Sequence, residues 1–443
     1  MSQPATKTHA SWTRRWTFIM AATGSAVGLG NIWKFPYITG ENGGGAFVLV
    51  YLLCIAIVGI PVLMAEILMG REGRSSPINS MVALARASDT SKAWAFIGIW
   101  GTIAGLMIMC FYSVVAGWVL DYLVESAKGT FVGMAPEQVA AHFEAGLLAN
   151  KPLQLLWHTV FTLLTIGVVA AGVTRGLGTA VEIMMPMLFL LLLILLGYSI
   201  TNGDFYRAAH FLFTPDFSKL TGESVLVAMG QSFFTLSIGM GAMMAYGSYM
   251  PANTSITQTA FAVVFFDTLV ALMAGLAIFP LVFANGIEPG QGPGLIFVSL
   301  PIAFGNMQGG VFFGSLFFIL LTLAAWTSSI SLIEPAAAWI DENFRISRAA
   351  ATGLIGFLVW VGGAACIYID GLFDQMDHIA SNIMLPLGGL MIAIFVGWFM
   401  KRKLVKNQLG ELGYYPFNTW YAVLRVFTPI GVLAVFLYKL GIL

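Results

Sequence analysis

The sequence predicts an all-α integral membrane protein of eleven transmembrane helices, with an inverted five-plus-five repeat in which helices one and six are discontinuous. Three observations predict it. Of 443 residues, 58% are hydrophobic and 9% charged, against roughly 25% charged in a soluble domain, and mean hydropathy is +0.85. Eleven apolar runs reach the roughly 18 residues that a membrane helix needs, near 16–38, 44–70, 92–125, 153–173, 180–201, 224–250, 256–285, 308–341, 350–370, 378–400 and 419–441. Spans one and six are interrupted in mid-course, by "GSAVGLGNIWKFP" (24–36) and "GQSFFTLSIGMGA" (230–242). All spans must be helices, because lipid offers no partner to an unpaired backbone group.

Spans one to five (16–201) read as the first repeat of a single domain over 1–443, spans six to ten (224–400) as the second, and span eleven (419–441) as an addition. With the N-terminus inside, inner segments hold fourteen lysines and arginines and outer segments six, leaving Arg425 near the inner end of span eleven. Cytoplasmic loops retain positive charge, so the N-terminus is expected inside and the C-terminus outside. The outer segment 126–152 is polar and helix-forming from Pro136, whereas 286–307, rich in proline and glycine, is expected to pack down as an outer lid. Thr13-Arg14-Arg15-Trp16 faintly resembles an export signal, but ten further spans follow it. Cys54, Cys110 and Cys366 lie in apolar runs without metal-ligand spacing and read as packing residues. His142, His158, His210 and His378 are placed in loops or at span ends and given no role. A formal net charge of zero points to no nucleic-acid partner.

The interruptions carry the chemistry. In a helix interior glycine costs about 1 kcal/mol relative to alanine and proline about 3. Gly24-x-x-x-Gly28 alone fits close helix packing, but packing leaves Asn31, Lys34 and Pro36 unexplained. Unwinding frees the carbonyls of Gly24, Ala26 and Val27 and exposes N–H groups at the next half-helix. Carbonyls with an asparagine oxygen suit a small hard cation, and helix N-terminal N–H groups suit a carboxylate. Paired breaks in corresponding spans place a substrate site between them, near the bilayer midplane. In span eight, Ala324, Thr327 and Ser328 share a helix face and offer one carbonyl and two hydroxyls, although such hydroxyls also bond back to the preceding turn. Asp267 in span seven is costly in lipid without a partner and so is a functional candidate. Glu66 is expected to satisfy N–H groups freed by unwinding, and Glu334 to bond a neighbouring helix. Gly176 and Pro186 lie ten residues apart, which fits a routine start of span five near Gly178 and also resembles a known family pattern in which that inner end unwinds.

The motifs "GSAVGLGNIWKFPY", "ENGGGAF" (41–47), "GIPVLMAEILMGR" (59–71), "GQSFFTLSIGMGA", "TSSISLIEP" (327–335) and "DQMD" (374–377), in this order, closely resemble the neurotransmitter:sodium symporter family, particularly its bacterial amino-acid transporters, from Trp12 to about Lys439. The resemblance implies two sodium ions. The first would be held by Ala26, Asn31, Thr235 and Asp267 with the substrate carboxylate, the second by Gly24, Val27, Ala324, Thr327 and Ser328. The carboxylate would rest on the Gly28, Leu29 and Gly30 backbone and the Tyr112 hydroxyl. Ile108, Phe234, Ser237, Met240, Ser328 and Leu332 would line the side-chain pocket, beside Ala26 and Thr235. Lys34 and Asp377 would form an outer gate, with Tyr112 and Phe234 as a lid. The resemblance also implies a multi-pass protein of the bacterial cytoplasmic membrane for which a monomer suffices.

Departures refine this. Lys34 stands where many relatives carry arginine, which loses the bidentate fork. His9 stands at the inner-gate arginine, leaving Glu342 or Asp341 to pair with another base such as Lys7. Asp267 stands at an asparagine position, with Ala271 four residues on; its charge can replace chloride, so chloride independence is expected, with proton return through Asp267 left open. Gly28 replaces the aspartate of monoamine transporters, so the substrate must bring its own carboxylate. No pocket side chain is charged, and flexible Met240 between two glycines suits bulky apolar side chains. The expected function is sodium-coupled uptake of neutral, hydrophobic L-amino acids, aliphatic to aromatic, by alternating access. Alternatives are a substrate-binding sensor of the same fold, a transporter of another carboxylate-bearing neutral substrate, or a channel. An enzyme is disfavoured, since the sequence lacks His-Glu-x-x-His, clustered Cys/His and a phosphate loop.

Overall fold

The computed structural model describes residues 12, 15–251, 253–289, 294–439 and 442. These are helical almost throughout. Among them, nine helices are long and apolar enough to cross a membrane: Gly45–Gly73, Lys92–Lys128, Lys151–Ala170, Val173–Asn202, Ile256–Ala284, Gly310–Asn343, Arg348–Tyr368, Leu372–Phe399 and Tyr414–Leu437. They correspond to predicted spans two to five and seven to eleven. Predicted spans one and six are instead broken into shorter helices, so neither meets a continuous-length test.

Span one runs from Arg15–Ala26 through an irregular turn at Val27 and Gly28 into Gly30–Lys34 and Phe35–Glu41. Span six consists of Gly222–Thr235 and Ala242–Ser248. Three residues in the second break have positive φ: Ser237 (52°), Gly239 (81°) and Gly241 (75°). Only glycine adopts such angles freely, so two glycines stop the helix and Ser237 is left strained. Its hydroxyl donates to the Ser25 carbonyl at 2.7 Å, which helps hold that angle and ties the two breaks together.

The orphaned N–H groups beyond the span-six break are collected by Glu66, as expected. Its carboxylate accepts from Gly239 N at 2.9 Å and Met244 N at 3.4 Å. A carboxylate at a half-helix N-terminus also meets the positive end of the peptide dipoles. Span two can come this close because it carries glycine at the crossing: a Cβ on Gly70 would lie 1.9 Å from the Met244 carbonyl oxygen, and one on Gly247 would lie 2.5 Å from that of Ile67. Spans one, two, six and seven contact one another, as do spans three, four, eight and nine, and span seven also packs extensively on span five.

Outside the spans, the polar outer segment forms Pro136–Ala141 and His142–Leu148. Leu295–Asn306 packs inward, stacking Phe297 on Phe143 with ring centroids 5.2 Å apart and meeting Trp118 edge-on. Gly290 to Pro293 lie outside the described residues. One placement needs correcting. His158 is neither in a loop nor at a span end; it is fully buried within Lys151–Ala170, with Nε2 3.2 Å from the Trp360 carbonyl. Gly363 makes room for it, since a Cβ there would lie 2.3 Å from the imidazole. Periodicity did not reveal this because the surrounding glycines and apolar residues give no polar signal.

Substituting Gly70→Ala should destabilise the protein by about 1–3 kcal/mol through overpacking. Gly167→Ala, where a Cβ meets nothing within 4 Å, should be neutral or slightly stabilising. Melting temperatures in detergent check the pair, and equal effects would contradict the backbone-contact reading.

Candidate functional site

A small cavity lies between the two breaks, lined by Ser25, Ala26, Gly28, Gly30, Ile108, Tyr112, Phe234, Ser237, Met240, Ser328 and Leu332. Every lining side chain is uncharged. Ten of the residues predicted for the pocket are brought together. Leu29 and Thr235 are not among its lining: the Leu29 side chain is buried in the core, and Thr235 turns its hydroxyl to Asp267. Ser25 was missed, because a serine in a small-residue run reads as packing. Its carbonyl accepts from both Ser237 and Ser328.

Gly28 sits against the floor of the cavity. A Cβ there would lie 2.2 Å from Ser328 Oγ and 3.1 Å from Tyr112 Oη, and one on Gly30 would lie 3.1 Å from the Phe234 ring. Backbone therefore faces the cavity where any side chain would fill it. Leu29 N donates to Tyr112 Oη at 3.3 Å, which brings the hydroxyl of span three beside the N–H groups of span one.

Asp267 occupies the centre of a first cluster of hard oxygen atoms. Asn31 Nδ2 donates to Asp267 Oδ1 at 2.7 Å and to its carbonyl at 3.0 Å, and Thr235 Oγ1 donates to Oδ1 at 2.9 Å. Asn31 Oδ1 accepts from Gly28 N at 2.9 Å, keeping a second lone pair. Asp267 Oδ2 is fully buried and makes no hydrogen bond of good geometry, the Tyr51 hydroxyl being its polar neighbour. A poorly partnered carboxylate oxygen in a dry interior is costly, and a bound cation relieves that cost; the residues present fit a sodium ion. Tyr51, also buried, brings its hydroxyl into the same neighbourhood.

A second cluster joins spans one and eight. Thr327 Oγ1 lies 3.4 Å from the Val27 carbonyl and 3.0 Å from that of Ala324, and Ser328 Oγ lies 3.4 Å from the Val27 carbonyl. Gly24 adjoins it, its missing Cβ facing Met185 and Thr327. Thus Gly24, Val27, Ala324, Thr327 and Ser328 converge. The Thr327 hydroxyl bonds back to the Leu323 and Ala324 carbonyls of its own helix while also facing span one, whereas the Ser328 hydroxyl donates to the span-one carbonyls of Ser25 and Val27. This donor set likewise suits a small hard cation.

Both ends of the cavity are shut. On one side Lys34 Nζ meets Asp377 Oδ1 at 2.9 Å and Ser381 Oγ at 3.2 Å, and lies 4.5 Å from the centroid of the Phe234 ring, which lines the cavity. On the other, Trp12 stands edge-on to Tyr246 and Tyr249 and donates Nε1 to the Val173 carbonyl at 3.3 Å. Below it, buried Glu334 accepts from Tyr249 Oη at 2.6 Å and pairs with Arg348, which also donates to the Val169 carbonyl at 3.0 Å. Glu334 thus bonds neighbouring helices as expected, but Arg348 was missed because at the start of span nine it reads as an ordinary positive flank. The expected pairing of Glu342 with a basic residue is replaced: Glu342 accepts from Ser76 N at 2.7 Å, Ser76 Oγ at 2.6 Å and Asn79 Nδ2 at 2.8 Å, anchoring the segment after span two. Lys7 and His9 lie outside the described residues.

Arg348→Gln should cost about 3–5 kcal/mol by leaving Glu334 as an unpaired buried charge. The double variant Glu334→Gln/Arg348→Gln should recover much of that loss. Thermal melting of the two variants in detergent checks this, and a double variant no more stable than the single one contradicts it.

Comparison with known proteins follows the same line. The profile of the sodium:neurotransmitter symporter family matches residues 9–134 and 142–442. The sodium-dependent transporter YhdH of Bacillus subtilis (strain 168) is 38% identical over 450 residues, covering 98% of both chains. A sodium-dependent transporter of Haemophilus influenzae is 33% identical over 452 residues, covering 98% of this chain and 99% of its own. The crystal structure of MhsT in complex with L-phenylalanine superposes with a TM-score of 0.90 at 41% identity, covering 97% of this chain and 99% of that one. With two interrupted helices around an uncharged cavity, and clustered hard oxygen atoms beside it, the chain belongs to the sodium:neurotransmitter symporter family of sodium-dependent transporters.

Proposed function

We propose that the protein is a sodium-coupled symporter that takes up neutral, hydrophobic L-amino acids by alternating access and needs no chloride. The observation that carries this is the juxtaposition of an uncharged cavity with the buried Oδ2 of Asp267. At Gly28 a side chain has no room, so the protein supplies no carboxylate of its own to an amine, and a substrate that brings one meets the Leu29 N–H and Tyr112 hydroxyl. Met240, Phe234, Ile108 and Leu332 then select an apolar side chain. The relative solved with L-phenylalanine supports this substrate class.

In this reading Asp267, Asn31, Thr235 and Ala26 hold one sodium ion against the substrate carboxylate. Gly24, Val27, Ala324, Thr327 and Ser328 hold another, where it ties span one to span eight. Because sodium favours the state that binds substrate, an inward gradient drives uptake, and coupling between the ligands is reciprocal. Spans one, two, six and seven rock against the remaining spans: separation of Lys34 from Asp377 opens one side, and release of Trp12, Tyr249 and Glu334 opens the other. The carboxylate of Asp267 supplies the fixed negative charge that makes chloride unnecessary. Charge placement favours a cytoplasmic N-terminus in a bacterial inner membrane, and spans one to five and six to ten form the inverted repeats. One chain contains the whole pathway, so a monomer suffices.

Uptake of labelled leucine and tryptophan into proteoliposomes tests the proposal. Accumulation should require an inward sodium gradient, vanish with potassium in its place, and persist when gluconate replaces chloride. Asn31→Ala should weaken the apparent sodium affinity roughly 10- to 100-fold, as expected for losing a buried ligand to a charge. Binding without accumulation would instead support a sensor, and a chloride requirement would overturn the role given to Asp267.

A further inference from the structure

We propose that the groove between spans ten and eleven, at the end carrying Lys401 to Lys406, binds the phosphate headgroup of an anionic phospholipid. This rests on the chain crossing a bilayer and not on its substrate.

The starting observation is Arg425. It lies within span eleven, Tyr414–Leu437, and its guanidinium is 3.9 Å from the centroid of the exposed Trp398 ring. Among the described residues it meets no carboxylate and donates no hydrogen bond. Helical rise puts it about 21 Å from Lys439, the next charged residue along the chain, which is less than the roughly 30 Å hydrocarbon thickness. An arginine there must snorkel toward the headgroups and find an anion.

The surroundings are built to hold it. Trp398 Nε1 donates to the Arg425 carbonyl at 3.1 Å, and Tyr421 Oη donates to the Gly397 carbonyl at 2.9 Å. Gly397 lets the helices touch, since a Cβ there would lie 3.1 Å from Arg425 Cα. Phe417, Tyr421 and Arg425 recur at four-residue spacing and so share one face. Arg402 lies over the first two rings, at 5.7 and 5.4 Å from their centroids. Lys403 and Lys406 are exposed beside it without an acidic partner, whereas Lys401 pairs with Asp89. Two guanidinium forks match phosphate oxygens. Phe427, Ile430 and Leu433, exposed further along span eleven, supply an apolar track for an acyl chain. A tryptophan at the headgroup level completes the pattern of an interfacial site. The anion that reaches this depth while lying against apolar side chains is a lipid phosphate.

The test is native mass spectrometry of the full chain, purified with equal amounts of phosphatidylglycerol and phosphatidylethanolamine of matched acyl chains. The wild type should retain phosphatidylglycerol preferentially. R402Q/R425Q should lower that retention roughly fivefold for each arginine, the change expected per basic residue at an anionic surface. Lys219→Gln, remote from the groove, should leave it unchanged. Should R425Q prevent folding, R402Q/K403Q reads the same loss from exposed positions. Unchanged retention in the folded double variants, equal loss in Lys219→Gln, or displacement of the lipid by excess inorganic phosphate would each overturn the assignment.

Discussion

In hydrocarbon, a backbone N–H or C=O that leaves its helical partner must find another, because no water replaces it. Two helices of this protein break that rule at the same depth, and the molecule is arranged around satisfying the consequences. The span-six break gives its N–H groups to Glu66 and its Ser237 hydroxyl to the Ser25 carbonyl of span one. The span-one break gives its Gly28 N–H to Asn31 and its Leu29 N–H to Tyr112. What remains are carbonyls, hydroxyls and the buried Oδ2 of Asp267, the groups that the proposed sodium sites use.

The proposed transport cycle requires a cavity that is both selective and mobile, and the packing is compatible with that. The cavity walls come from spans one, three, six and eight, with no room for a side chain at Gly28 or Gly30, and span six meets span two through backbone at Gly70 and Gly247. Backbone contact fixes distances tightly, while the closures at either end depend on side chains: Lys34 with Asp377 and Phe234 on one side, Trp12 with Tyr246 and Tyr249 on the other. Side-chain latches can separate without disturbing the packed breaks. A rigid centre with releasable ends is what alternating access requires.

Much of this was legible in the residues. Apolar run length gave the long helices; glycine, asparagine and proline inside span one, and glycine inside span six, gave the breaks. The spacing of Ala324, Thr327 and Ser328 gave one face of span eight, and lipid cost singled out Asp267. Features that depend on tertiary proximity left no such trace. Arg348 belongs to a flank by sequence yet reaches a buried acid fourteen positions back, across a turn. Glu342 turns to a loop that no periodicity places near it, and His158 is enclosed by glycines on two other helices. Ser25 contributes through its carbonyl, which every residue possesses. Pattern reports which face a residue occupies, not what the fold brings against that face.

The central claim is that Asp267 joins ion and substrate in one neutral site. The most direct measurement is equilibrium binding of L-phenylalanine to the purified protein across a sodium titration, paired with sodium binding across a phenylalanine titration. The account predicts that each ligand tightens the other by the same factor, and that this factor collapses toward one in Asp267→Ala. Phenylalanine affinity independent of sodium, or coupling unchanged in that variant, would contradict it.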